Sequence, residues 1–206
     1  MTSDAVAPRG HRWVCCGTGP DGAGIVAFSA LVPPGWSAEG GLRWDRSSVD
    51  PSVTPRFRAW APDGSADVQL IAAADGAGTR PDPTAFVLAE VLPLLRPRAT
   101  AIEVVGVGNA AALPWPTAGL AEVLTSVVMV TYLDEGMLWR EELTVALGSV
   151  PSRSGWSATP GLAIRAWAAD YGSWAPQIER IRDSFTVSEP WATALAASEP
   201  AHSNVA

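Results

Sequence analysis

The segment Phe28-Ser29-Ala30-Leu31-Val32-Pro33-Pro34-Gly35-Trp36 constrains the fold more than any other part of the chain. The apolar run from Gly24 to Val32 reads as a strand. Pro33-Pro34-Gly35 stops it, because proline has no N–H to give to a ladder and glycine accepts the positive φ of a tight turn. Trp36 is thereby tucked under the turn. A short second strand follows around Glu39-Gly40-Gly41-Leu42. A third, Phe57 to Ala61, ends in the turn Pro62-Asp63-Gly64-Ser65.

From there the pattern continues as a meander. Asp67 to Ala73 alternates Val68, Leu70 and Ala72 with Asp67, Gln69 and Ile71, as a mostly buried strand does. The stretch from Asp75 to Pro81 is rich in glycine and reads as a loop. Asp82 then offers a side-chain cap with Pro83 at the first helical position, so a helix is expected from Asp82 to Leu95 through Phe86, Val87, Glu90, Val91 and Leu94. Pro93 lies near its end and Pro97 closes it. Ala101 to Val107 is a strand stopped by Gly108-Asn109. Thr125 to Leu133 and Met137 to Leu147 form a long hairpin about Asp134-Glu135-Gly136, where the glycine supplies a positive-φ position. Gly161 to Ala168 is a further strand. The last helix spans Ser173 to Val187 with Ser173 as N-cap, placing Trp174, Ile178, Ile181 and Phe185 on one face and Gln177, Glu179, Arg180, Arg182 and Asp183 outward.

Composition removes several function classes. A chain of 206 residues, 48% hydrophobic, builds one substantial core. The formal charge of −7 argues against nucleic acid, which demands clustered basic residues to displace phosphate counterions. All fourteen basic residues are arginine, a bias of the kind a GC-rich, actinobacterial genome imposes. Met1 to Gly10 holds no apolar run for a signal peptide, and no window approaches the roughly 18 apolar residues of a spanning helix, so a cytoplasmic protein is expected. The neighbouring Cys15 and Cys16 read as two small, half-buried thiols on a strand from Arg12 to Cys16, since adjacent cysteines form a disulfide only with strain and no other cysteine completes a zinc site.

Two features then match a known pattern. The strand Phe28 to Val32 with Pro33-Pro34-Gly35-Trp36 and the later Trp60-Ala61-Pro62-Asp63-Gly64-Ser65 stand at one end. At the other stands a helix closing in Asp183-Ser184-Phe185 and followed by Trp191. This order resembles PsbP-like domains, the α/β/α sandwich family that includes the photosystem II extrinsic protein and the Ran-release import factor. The resemblance implies an α+β fold, a mainly antiparallel sheet flanked by helices, over residues 24–191. Residues 1–23 would form an N-terminal arm with a short strand, and 192–206 a frayed or disordered tail. It also implies a binding or scaffold role, with no cofactor.

The sequence itself carries no catalytic signature. His11 and His202, the only histidines, stand near the chain ends, where a Ser-His-Asp device is hard to assemble. Glu141 and Glu142 point to opposite faces of a strand and cannot act as one dyad. Glu103, Glu142 and Asp170 are the candidate acid or base residues, Glu103 because burial in its apolar strand would raise its pKa, although an edge-facing, solvated carboxylate is the reading preferred for it. No metal site is expected.

Tryptophan is the unusual resource, with ten in the chain. Trp36, Trp167 and Trp174 read as core. Trp44, Trp115, Trp139 and Trp156 stand beside turns or in loop-like sequence, where an aromatic can line a groove or interface. Trp115, stiffened by Pro114 and Pro116, reads as a solvent-shielded loop anchor ahead of a ligand platform. Two functions follow: a non-catalytic binding, adaptor or chaperone protein that uses a Trp-lined apolar groove for a partner protein or hydrophobic segment, or a small cofactor-independent cyclase or isomerase acting on an apolar small molecule. An open groove favours the first, and a closed pocket with a buried carboxylate the second.

Overall fold

A computed structural model describes residues 12–16, 26–45, 52–110, 115, 117, 119–152 and 154–198. The main sheet is antiparallel throughout, in the order β3 (Ser37–Asp45), β4 (Ser52–Trp60), β5 (Ala66–Ile71), β10 (Gly155–Trp167), β9 (Met137–Ser149), β8 (Ala121–Asp134), β7 (Thr100–Asn109). Strand β6 (Ala74–Ala77) also pairs with β10, so β5 and β6 act as one interrupted neighbour. The glycine-rich stretch read as a loop therefore begins with a strand. Gly76 faces the Trp156 indole so closely that a Cβ would clash, which explains a glycine inside a ladder.

A second, three-stranded sheet has the order β1 (Arg12–Cys16), β2 (Phe28–Val32), β11 (Thr186–Val187). The arm thus contributes the expected strand, with Cys15 paired to Ser29 and Cys16 to Phe28. The turns follow their residues. Trp36 N–H donates to the Pro33 carbonyl at 3.3 Å while Gly35 takes φ +78°. In the β8–β9 hairpin Glu135 and Gly136 both take positive φ, +51° and +80°, as a primed two-residue turn requires.

The first helical segment comprises α1 (Pro83–Phe86), a π-helical turn (Val87–Val91) and α2 (Leu92–Leu95). The Asp82 carboxylate caps it, accepting from Thr84 N at 2.8 Å and Ala85 N at 3.2 Å. It covers one face of the sheet, where Phe86, Val87, Val91 and Leu92 pack on Val128, Val130, Tyr132, Leu143 and Leu147. The other face is covered by α3 (Tyr171–Ser184) and the small sheet. There Ile178, Ile181 and Phe185 pack on Phe28, Phe57, Val68, Leu162 and Ile164. Helix α3 starts at Tyr171, with Asp170 at the cap position, so Ser173 is not the N-cap; its hydroxyl instead donates to the Asp170 carbonyl at 2.7 Å. Helix α4 (Glu189–Ser198) carries regular structure through Ser198, past residue 192 where a frayed tail was expected. No helix among the described residues is long and apolar enough to cross a membrane.

Candidate functional site

The most concentrated chemistry lies between the first helix and the sheet. Trp139, Glu141 and Leu143 alternate onto the helix-facing side of β9, which puts a carboxylate where an apolar residue would be usual. Glu141 is 0% exposed, Asp67 3% and Arg96 6%. Arg96, one residue past α2, donates from Nε to Glu141 Oε2 at 3.2 Å and from Nη2 to Glu141 Oε1 at 2.7 Å and Asp67 Oδ1 at 3.1 Å. Arg165 donates from Nε to Asp67 Oδ2 at 2.7 Å, and its Nη1 lies 3.3 Å from both the Tyr132 hydroxyl and Asp134 Oδ2. The Tyr132 hydroxyl donates to Glu141 Oε2 at 2.7 Å.

Electrostatics hold the cationic and phenolic members of this cluster in one protonation state. Burial alone would lower the pKa of Arg96, but Glu141 and then Asp67 outweigh it and hold the guanidinium above its ordinary value. Burial, reinforced by Glu141, pushes the Tyr132 phenol up as well. Both arginines stay charged and the phenol stays protonated, while the buried carboxylates spend their lone pairs on charge-assisted hydrogen bonds. Such a network fixes α2 to strands β5, β8, β9 and β10. Sequence reasoning separated Glu141 from Glu142 correctly but passed over Glu141, Asp67 and Arg96 as a set. The legible signal was a charge standing at an inward position of an alternating strand.

The candidate acids are dispersed. Glu103 lies exposed on edge strand β7, as the edge-facing, solvated reading of it expects, and not buried as an acid or base with a raised pKa would need. Glu142 pairs with Arg182 at 3.5 Å, and its hydrogen bond with Tyr171 is the second cause, after burial, that raises that phenol. Asp170 is exposed at the start of α3. None of the three lines the hollow of about 610 Å3 described below.

The expectation of a Trp-lined apolar groove needs correction. Trp115 is buried, with ring centroids 5.8, 5.7 and 5.9 Å from Phe28, Phe185 and Trp191. Trp139 is buried on the opposite face beneath the Arg165 guanidinium, 4.0 Å from its ring centroid. Trp156 packs edge-on against Phe86 at 5.5 Å. Aromatics flanked by turns were drawn into the two cores because each buries a large apolar area there. The side chain of Trp44 and both histidines lie outside the described residues.

A groove does exist, lined by other residues. The first helix leaves the β3–β4 end of its sheet face uncovered. There Glu39, Arg43, Arg56, Arg58, Gln69 and Leu95 border a hollow of about 610 Å3, open to solvent. The β3–β4 register sets Glu39 opposite Arg58 and Arg43 opposite Thr54. Arg58 lies over the Trp60 ring at 5.3 Å, and its Nη2 is 3.6 Å from Asp67, which joins the groove to the buried network.

No protein-family model and no curated protein matches the chain. Among solved structures it is similar to cyanobacterial PsbP (CyanoP) from Synechocystis sp. PCC 6803, with a TM-score of 0.46 and 8% identity over 91% of this chain and 98% of that one. It is also similar to LpqN, involved in cell envelope biogenesis of Mycobacterium tuberculosis, with a TM-score of 0.37 and 12% identity over 86% of this chain and 91% of that one. The architecture itself, an antiparallel sheet with helices on both faces, is the α+β class expected from the sequence.

Proposed function

We propose that this chain is a non-catalytic binding protein, an adaptor that holds a segment of a partner protein in the open groove beside α2. One observation carries the reading: a helix that covers only part of a sheet face leaves a hollow of about 610 Å3 open along the β3–β4 end. Open hollows admit a chain passing through them, whereas turnover of a small apolar molecule calls for enclosure around a reactive group. The buried carboxylates Asp67 and Glu141, which an isomerase or cyclase would need free, are engaged by arginines.

The test is site-specific photo-crosslinking in the native host, with the reactive group placed at Gln69 in the groove and, separately, at Ile102 on the far edge of the sheet. The reading expects a discrete crosslinked partner from position 69 and none from 102. Crosslinks confined to 102 would move binding to the edge strand. Turnover of an apolar metabolite that Glu142→Gln abolishes would replace the reading with an enzyme.

A further inference from the structure

The groove is basic although the protein is acidic. In a chain of net charge −7, three of fourteen arginines, Arg43, Arg56 and Arg58, border this one hollow against a single carboxylate, Glu39. Arg56 and Arg58 are two residues apart on β4 and so project from one face about 6.5–7 Å apart. Arg43, opposite Thr54, is the diagonal neighbour of Arg56, within reach of a long side chain. Among the described residues neither Arg43 nor Arg56 has an ion-pair partner. Arg58 shares Asp67 with Arg165 and Arg96, which hold it at 2.7 and 3.1 Å against 3.6 Å for Arg58. The Arg58 Nε is buried without a hydrogen-bond partner. Like charges brought this close repel, so the row is an unfinished electrostatic arrangement that an anion completes.

We propose that the groove takes an extended, acidic segment of a partner protein, with Asp or Glu at alternate positions meeting Arg56 and Arg43. The inference rests on the groove being the binding surface and adds which chemistry it reads. An extended chain repeats its same-side side chains at about the 6.5–7 Å spacing of the arginines. A single small oxyanion would occupy only a corner of the hollow. Glu39, opposite Arg58, repels an acid at that end of the row and so favours a neutral or basic residue there.

Fluorescence anisotropy on the full chain tests this with three labelled peptides of alternating Glu-Val, Gln-Val and Lys-Val sequence, and with inorganic phosphate as competitor at fixed ionic strength. The Glu-Val peptide should bind, weaken steeply with added salt, and lose affinity several-fold with Arg56→Gln and further with Arg43→Gln. Both variants should melt with the parent, since these side chains are exposed. Equal binding of Gln-Val would overturn the charge reading and leave the groove reading standing. Failure of all three peptides would overturn both. Displacement by phosphate alone would mean a small-oxyanion site and remove the segment.

Discussion

The two faces of the main sheet are held by different physics. On the α3 side the contacts are ring against ring: Phe28 stacks on Phe185 at 5.4 Å, and Phe57, Trp115 and Trp191 close around them. On the α2 side a mixed layer of aliphatic residues with Phe86, Trp139 and Trp156 surrounds Asp67, Arg96, Glu141, Arg165 and Tyr132, locked by hydrogen bonds. Dispersion is non-directional and tolerates small shifts of one ring on another. Buried charges are not tolerant, because each needs its partner within a few tenths of an ångström. The first face therefore supplies cohesion, and the second also fixes how the helix sits on the strands.

The largest expected effect belongs to the second face. Glu141→Ala leaves Arg96 buried without its main partner and should cost about 3–5 kcal/mol. The double replacement Arg96→Met with Glu141→Leu should recover most of that loss in a denaturant titration. If it does not, the network contributes more than mutual neutralisation. On the first face, Phe185→Ala should cost about 3–4 kcal/mol through the cavity it leaves, and Phe185→Leu about 1 kcal/mol. A steep penalty for Phe185→Leu would erase the contrast between tolerant and exacting faces.

A third test uses the only two tyrosines, Tyr132 in the charged face and Tyr171 at the start of α3. Both phenols are raised above the ordinary 10.0, first by burial and then by Glu141 for Tyr132 and by Glu142 for Tyr171. A folded pKa above the unfolded one means full stability below about pH 10 and loss as pH rises from there. Phenolate absorbance should therefore emerge together with unfolding. If Tyr171→Phe abolishes an early step that Tyr132→Phe leaves intact, the two faces open separately. The smallest effect is that of Arg182→Ala. It removes the half-exposed pair with Glu142 and should stay within about 0.5 kcal/mol by thermal melting.

Much of the fold was legible because local chemistry and tertiary structure agree. Asp82-Pro83, Pro33-Pro34-Gly35 and Asp134-Glu135-Gly136 each specify a cap or turn that forms as written. The first helix shows where local reading stops. Its ends are announced by Asp82 and Pro97, but not the π-helical turn, in which Leu92 N–H donates to the Val87 carbonyl. That wide turn inserts one residue of phase just before Pro93, which has no N–H to give to an α-helical ladder. Leu94 is left 82% exposed while Arg96 turns onto the sheet. The buried network depends on that shift, so no scan for regular periodicity finds it. Trp115 teaches the same lesson for loops: its proline neighbours signal a stiff segment that could shield the ring or present it to a ligand, and only Phe28, Phe185 and Trp191, all distant in sequence, decide for the shielded anchor.

Strand β7 has a consequence for how the protein behaves as a colloid. It forms one rim of the sheet, and Ile102, Val104, Val105 and Val107 face water along it. Two breaks in its register and the positive φ of Ala101 roughen that rim, and Glu103 sets a charge in the middle of it. At neutral pH the net charge of −7 also keeps copies apart. As the medium approaches the isoelectric point near 4.8 that mutual repulsion vanishes, and the ten residues of one rim, rather than the surface at large, set where copies first adhere.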